Sequence, residues 1–175
     1  LTQQIPRPEA YLNASDKQWQ ARCQEFIDMY FEKHTRVKRF VKRSNRFVKL
    51  NGFAENYYGR VRHLPHYKAC KVMKDPDLGW LEAKAQRQGT NFVVQGTAAD
   101  VFKIACVGIH KLLKGKKSKM VSFVRDECHI YLHKSEIYLV PELKRILEDF
   151  KFKVPIIADI SISTTSWAEK VNVNP

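Results

Sequence analysis

The sequence is short of acidic residues and of long apolar runs. It has 18 Asp and Glu residues against 31 Lys and Arg residues, which gives a formal net charge of +13. Its four cysteines stand far apart without a Cys-x-x-Cys pair, so zinc knuckles and thiol redox motifs are not expected. No stretch approaches the roughly 18 apolar residues of a membrane span, and we expect no membrane partner. Internal repeats and low-complexity segments are absent as well.

The excess of basic charge points to a polyanionic partner. Nucleic acid is favoured over an acidic membrane, because no amphipathic basic helix stands apart from the core pattern. A hydrophobic content of 44% and a charged content of 28% are typical of a globular chain. A length of 175 residues is enough for one domain or two small lobes around a real core.

The spacing of apolar residues predicts an α+β fold. Ser15 and Gln18 form a capping-box pattern that opens a helix, and the strongly basic second helix ends at Asn51-Gly52. A short strand pair surrounds residues 57–60. The further elements expected in chain order are a loop at 65–79, a helix at 81–113 broken locally near Gly96, a helix at 139–150 and a strand at 156–162. Helices first, and then helix, hairpin, helix and strand, suggest an all-α lobe joined to a small α+β lobe with an antiparallel sheet.

Two adjacent carboxylates form the most informative local feature. Arg125-Asp126-Glu127 lies between the apolar runs 121–124 and 128–132, which both have the composition of strands. The tip of such a hairpin would present Asp126 and Glu127. On a basic protein, this pair suggests a divalent metal held against a polyanion. A plain polar β-turn explains the hairpin alone equally well, since Asp is a common turn residue.

A polar stripe runs along the predicted long helix. Arg87, Asn91 and Gln95 stand four residues apart, so their side chains share one helix face. A cation and two amides can donate to the purine N3 and pyrimidine O2 acceptors that base pairs show in the minor groove. The stripe could therefore check duplex geometry without reading sequence. An ordinary solvated face is the alternative.

In this order, these motifs resemble the C-terminal part of the family A (DNA polymerase I-like) DNA polymerases. Arg87-x3-Asn91-x3-Gln95-Gly-Thr-Ala-Ala-Asp100, followed by Val124 to Glu127, is similar to the family's RxxxNxxxQGTAAD and VHDE. The segments 30–38 and 59–65 resemble its YFExxPGVK and GRRRxLP, and Trp167 sits where the family has a tryptophan after its last strand. The resemblance implies a helical fingers portion with a connector at 1–80. It implies a palm portion at 81–175 with the QGTAAD helix, the RDE hairpin and the C-terminal strand.

The resemblance also implies an activity, which is template-directed nucleotidyl transfer by a two-metal mechanism. Asp126 matches the carboxylate that binds the catalytic Mg²⁺ ions, and Glu127 matches its less critical neighbour near the primer end. Arg87, Asn91 and Gln95 match residues that line the duplex. Primer-template DNA and deoxynucleoside triphosphates are the implied partners, and DNA replication is the implied process.

The chain also departs from the family pattern. Arg125 stands where the family has His, although its guanidinium can still pair with phosphate. The family's other catalytic aspartate, its nucleotide-binding helix with an essential Lys and Tyr, and any exonuclease signature are missing from the sequence. We expect a fragment or a split-polymerase subunit, inactive alone, that a partner or upstream segment completes. The lack of an initiating Met slightly favours a processed or excised piece.

The remaining expectations concern surfaces and competing functions. Apolar faces at Trp19, Phe26, Tyr30, Ile160 and Ile162 are candidate partner contacts. A non-catalytic double-stranded-DNA-binding module is the leading alternative function, whereas a generic basic RNA-binding protein explains the charge but not the motif order. We expect the cytoplasm of a bacterial or phage-infected cell, with an organelle as the alternative. The predicted phosphate contacts are Lys38, Lys42, Arg43, Arg46, Arg60, Lys116, Lys117, Lys119 and Arg125.

Overall fold

The computed structural model describes residues 7–65, 67 and 79–173 and divides into two compact units. The first unit comprises Leu1–Glu55 and Arg60–Val93, and the second comprises Asn56–Gly59 and Val94–Pro175. The portions predicted from the sequence meet after residue 80, and the two compact units divide after Val93, inside a helical run. The expected loop at 65–79 lies almost wholly outside the described residues.

In its described residues, the first unit contains helices and a strand pair. The elements are a 3₁₀ turn (Glu9–Tyr11), α1 (Asp16–Lys33), α2 (Thr35–Asn51), β1 (Phe53–Glu55), β2 (Val61–His63) and α3 (Gly79–Asn91). The capping box is confirmed, because the Ser15 N–H donates to Gln18 Oε1 at 2.9 Å and the Gln18 N–H donates to Ser15 Oγ at 3.4 Å. α2 ends at Gly52, whose φ of 70° favours glycine.

The core of the first unit lies where α2, α3 and the strand pair meet. Its buried members are Val48, Ala54, Leu64, Tyr67, Ala85 and Phe92. Gly89 lets α2 and α3 approach closely, because a Cβ on it would lie 2.4 Å from the Val48 Cγ2 atom. β1 and β2 pair antiparallel with Phe53 opposite His63, which confirms the predicted strand pair.

The core of the second unit forms between helices and a β-hairpin. A π-helical turn (Phe92–Gly96) leads from α3 into α4 (Thr97–Leu113). The later elements are β3 (Lys119–Val124), β4 (Glu127–Tyr131), a 3₁₀ helix (Lys134–Leu139), α5 (Val140–Glu148), β5 (Ser161–Ile162), a 3₁₀ turn (Trp167–Glu169) and β6 (Val171–Asn172). Ile109, Leu113, Leu139 and Leu143 form the buried cluster, against which one face of the hairpin packs. Helices with small antiparallel sheets confirm the α+β class.

One predicted strand is wrong. Of residues 156–162, only Ser161–Ile162 forms a strand, which pairs with β6. The preceding backbone finds other partners, because the Ala158 N–H donates to the Glu148 carboxylate at 3.0 Å. Pro155 has no N–H to offer a ladder. Alternating isoleucines therefore did not suffice to extend the strand.

One long helical run bears on the expectation that no segment resembles a membrane span. Gly79–Leu113 is long and apolar enough to cross a membrane by length and composition, with 28% of its most apolar window buried. The core helices of other proteins meet the same criterion, and Ala85, Ala105 and Ile109 on this run are buried. Length and composition alone are therefore weak support for a membrane partner.

Candidate active site and nucleic-acid interface

A two-residue turn joins β3 to β4 and carries the predicted acidic pair. Val124 pairs with Glu127 across the ladder, so Arg125 and Asp126 form the turn and Glu127 begins β4. The β-branched and aromatic residues of both strands favour this ladder. The structure therefore confirms the hairpin, with Asp126 at its tip and Glu127 one step inside.

The turn holds the Arg125 backbone in the left-handed region. Its φ is 56°, and among the described residues no other non-glycine has a positive φ. This conformation costs a non-glycine residue about 1–2 kcal/mol, and such strain clusters at functional sites. The Arg125 side chain is exposed, so the turn presents a guanidinium next to Asp126 in the chain.

The two carboxylates have different surroundings. Glu127 Oε2 lies 3.3 Å from His129 Nε2, and Glu127 Oε1 lies 3.6 Å from Lys170 Nζ. The hydrogen bond from His129 and then the charge of Lys170 lower the pKa of Glu127. Asp126 is exposed and has no hydrogen bond or ion pair with any residue that the structure describes. Glu127 is thus held by the His129 ring and the Lys170 ammonium, whereas Asp126 is available to an outside ligand.

The groups that hold Glu127 were not predicted from the sequence. His129 Nδ1 lies 2.9 Å from Ser122 Oγ on the paired strand, and the Lys170 ammonium lies 4.3 Å from the Trp167 ring centroid. The period of two along a strand places Glu127 and His129 on the same face, which was a usable signal. Lys170 is distant along the chain and gave none.

The donor set at the hairpin tip fits magnesium in part. Mg²⁺ prefers hard oxygen ligands, and proteins often bind it through one or two carboxylates together with substrate phosphates. The unpartnered carboxylate of Asp126 fits one such position. Within residues 7–65, 67 and 79–173, no group of three or more His, Cys, Asp or Glu side chains could hold a metal ion. The described part of the chain therefore offers one ligand and not a complete cage.

The predicted duplex stripe is exposed along its whole length. Arg87 and Asn91 lie one turn apart on α3 in the first unit, and Gln95 lies in the π-helical turn of the second unit. π turns inside α-helices are frequent at functional sites. Arg87 and Asn91 share a face, as predicted, and the continuation of the stripe through Gln95 stays a prediction.

The predicted phosphate contacts on α2 are exposed cations. None of them forms an ion pair with a described residue. Lys49 on the same helix differs, because its Nζ atom lies 3.0 Å from Glu82. Unpaired cations on one exposed helix are the electrostatic footprint of nucleic-acid binding. The residues concerned are Lys38, Lys42, Arg43 and Arg46.

Arg60 has a different environment. Its guanidinium carbon lies 5.0 Å from the ring centroid of Phe92, and that of Arg62 lies 6.0 Å from the same centroid. Cation–π contact orients a guanidinium without neutralising its charge. Arg60 can therefore still meet a phosphate.

A buried acid organises the basic turn before the hairpin. Glu136 accepts hydrogen bonds from the Lys117 N–H at 3.0 Å, the Ser118 N–H at 2.8 Å and the Ser118 hydroxyl at 2.6 Å. These bonds, led by that of the Ser118 hydroxyl, lower the pKa of Glu136 to about 2. They fix a turn from which Lys117 and Lys119 reach solvent beside a partly covered Lys116. The three lysines were predicted from the sequence, but the Glu136 carboxylate that fixes their turn was not.

Comparisons with known proteins give the family. The model of DNA polymerase family A matches residues 11–169, so the chain belongs to this family. It is 31% identical over 149 residues to DNA polymerase I of Caldicellulosiruptor bescii, covering 83% of this chain and 17% of that protein. It is 28% identical over 143 residues to the thermostable DNA polymerase I of Thermus aquaticus, covering 80% of this chain and 16% of that protein. The chain thus spans about a sixth of the length of these relatives.

A eukaryotic relative and a solved structure agree with this assignment. Mouse DNA polymerase theta is 35% identical over 97 residues, covering 55% of this chain and 4% of that protein. The fold is similar to that of the POL domain of Pol1 from M. smegmatis, solved in complex with DNA primer-template and dNTP. That likeness has a TM-score of 0.67 at 22% identity and covers 84% of this chain and 25% of that one.

Proposed function

We propose that this chain is the C-terminal fingers and palm portion of a DNA-directed DNA polymerase. The observation that carries the proposal is the free Asp126 carboxylate at a strained turn, in a chain of family A. Glu127 is held by His129 and Lys170, and we assign it a lesser contribution to catalysis near the primer end. The M. smegmatis protein was solved with primer-template and dNTP, which supports the same two partners here.

The reaction is a phosphoryl transfer. The primer 3′ oxygen forms a bond to the α-phosphorus of the nucleotide, the bond from that phosphorus to pyrophosphate breaks, and the hydroxyl proton is released. Bound Mg²⁺ supplies charge neutralisation at the phosphate oxygens. Asp126 would hold the ion, and Arg125 would pair with a phosphate. Arg87, Asn91 and Gln95 would position the duplex.

The other palm aspartate and the nucleotide-binding helix must come from an upstream segment or a partner polypeptide. Exposed apolar side chains in the second unit support such an addition, with Val121 66%, Val154 73% and Ile157 76% exposed. The candidate face on α1 needs correction, because Trp19 is buried, packed against Tyr11 at a ring-centroid distance of 5.6 Å. We propose the cytoplasm of a bacterial or phage-infected cell as the location.

Single-turnover primer extension tests the metal role of Asp126. In an assembly that supplies the remaining palm, Asp126→Ala should abolish nucleotide addition and leave duplex affinity nearly intact, because charge neutralisation acts mainly on the transition state. Glu127→Ala is the matched control and should lose much less. Extension by Asp126→Ala at the wild-type rate would refute the role.

A second candidate is a non-catalytic duplex-binding module. Arg125 in place of the family's histidine favours it, as does the single metal ligand at the described hairpin tip. Duplex binding by the wild-type chain, with no extension from any assembly, would select this alternative.

A further inference from the structure

Four aromatic rings of the second unit form a cluster that the proposed polymerase site does not use. Tyr57 and Tyr58 lie in the segment 56–59, and Phe150 and Phe152 follow α5. The ring centroids of Tyr57 and Phe152 are 5.0 Å apart, those of Tyr57 and Tyr58 are 5.3 Å apart, and those of Phe150 and Phe152 are 6.4 Å apart. We call these four residues the aromatic cluster.

The two tyrosines are exposed, although their backbone is fixed. The Tyr57 side chain is 66% exposed and that of Tyr58 is 42% exposed. The Tyr57 N–H donates to Thr97 Oγ1 at 3.1 Å, and the Tyr58 N–H donates to the buried Asn56 at 3.0 Å. Rings on a fixed backbone lose little further freedom when a ligand binds, and this preorganisation favours affinity.

Unpaired positive charge alternates with the phenylalanines. Lys151 and Lys153 are exposed and form no ion pair with any described residue. The acids that precede them are engaged, because Asp149 lies 3.9 Å from Arg145 and Glu148 accepts the Ala158 N–H. The third nearby acid, Asp100, accepts a hydrogen bond from the Asn56 amide. The cluster is therefore an aromatic surface beside two lysines that have no ion-pair partner among the described residues.

We propose that the aromatic cluster, with Lys151 and Lys153, binds single-stranded nucleic acid. Unpaired bases present flat faces that stack on aromatic rings, while the backbone phosphates meet lysines. A duplex keeps its base faces stacked inside and cannot use exposed rings in this way. An apolar protein segment would match the rings but would leave both lysines without a counter-charge. The site goes beyond the proposed polymerase activity and does not depend on Asp126.

Fluorescence anisotropy with a labelled oligothymidylate of about 12 nucleotides tests the stacking, since a single module covers about 4–16 nucleotides. Tyr57→Leu removes the ring while keeping an apolar side chain and should weaken binding about fivefold or more, the loss expected for one stacked base. Tyr57→Phe keeps the ring and should bind as the wild type does. Equal affinity of the two variants would overturn the proposal, whatever the outcome of the extension assay.

Two further measurements separate stacking from general charge attraction. Tyr30→Leu is the matched control, because Tyr30 is also a half-exposed tyrosine that packs on another ring, with its centroid 5.7 Å from that of Phe31. Tyr30 lies in the first unit, so its replacement should leave the affinity for the oligothymidylate unchanged. Lys151→Ala with Lys153→Ala should reduce the slope of log K against log salt by about 0.7 for each phosphate that is no longer neutralised. An unchanged slope, or an equal weakening with Tyr30→Leu, would count against the site.

Discussion

The packing of α2 on α3 depends on the absence of a side chain at Gly89. A Cβ atom there would lie 2.4 Å from Val48 Cγ2, 3.5 Å from Leu64 Cδ1 and 3.6 Å from Ala54 Cβ. Val48 is fully buried, and β-branched side chains have little rotamer freedom in helices. Overpacking of this kind costs about 1–3 kcal/mol, while Ala in place of Gly in a helix recovers about 0.5–1 kcal/mol. Gly89→Ala should therefore lower the free energy of unfolding by about 1–2 kcal/mol.

Urea unfolding followed by far-ultraviolet circular dichroism measures this change. For a chain of this length, each kcal/mol corresponds to a fall in Tm of about 2–4 °C. Gly79→Ala is the matched control, because a Cβ there meets no atom within 4 Å, and it should be neutral or stabilising. Adding Val48→Ala should cost less in the Gly89→Ala background than in the wild type, since the two sites are coupled. Equal stability of the two glycine variants would refute the packing argument.

Three other predictions concern acid stability, turn strain and salt dependence. Because the folded pKa of Glu136, about 2, lies below its ordinary value of 4.5, its contribution is complete above pH 4.5 and is lost as the pH falls towards 2. Glu136→Gln should therefore flatten the acid limb in unfolding curves from pH 5 to 2, and an unchanged limb would contradict this. Arg125→Gly should raise stability by up to about 1 kcal/mol in thermal melts, because the relief of strain exceeds the added freedom of the unfolded chain; a decrease would count against strain. Lys42→Ala with Arg43→Ala should lower the salt slope of duplex binding by about 0.9 for each phosphate left without its cation. Lys49 already pairs with Glu82, so Lys49→Ala should change the salt slope less. Equal slopes for the wild type and the Lys42→Ala, Arg43→Ala double variant would indicate that these cations of α2 only face solvent.

Local signals predicted most of the fold. The capping box, the glycine after α2 and the strand-like composition of 121–124 and 128–132 act over a few residues, and the structure has each of these elements. The strand expected at 156–162 is confined to Ser161–Ile162, and the Ala158 N–H donates to the Glu148 carboxylate instead of to a ladder. Such long-range hydrogen bonds leave no periodic trace in a sequence.

The sequence indicated which carboxylates form the candidate site but not which side chains contact them. Asp126 and Glu127 are adjacent in the chain, so one motif indicated both. The groups that distinguish them, His129 and Lys170, come from the next strand position and from a distant segment. The anchor of the basic turn, Glu136, likewise acts through tertiary hydrogen bonds. A motif specifies which groups are present, whereas the fold decides which of them are already engaged.

The different surroundings of the two carboxylates explain how the hairpin can fold while Asp126 stays exposed. A free carboxylate next to a second free carboxylate would be destabilised by like-charge repulsion until a cation arrived. Here the Lys170 ammonium lies 3.6 Å from Glu127 and the His129 ring hydrogen-bonds to it, so Asp126 is the carboxylate of the pair that has no partner among the described residues. The hairpin can therefore fold with the Asp126 carboxylate exposed, and its strands β3 and β4 form an ordered ladder. If Asp126 binds a divalent ion as proposed, a second protein carboxylate at that ion would have to come from another segment, because Glu127 is already held by His129 and Lys170.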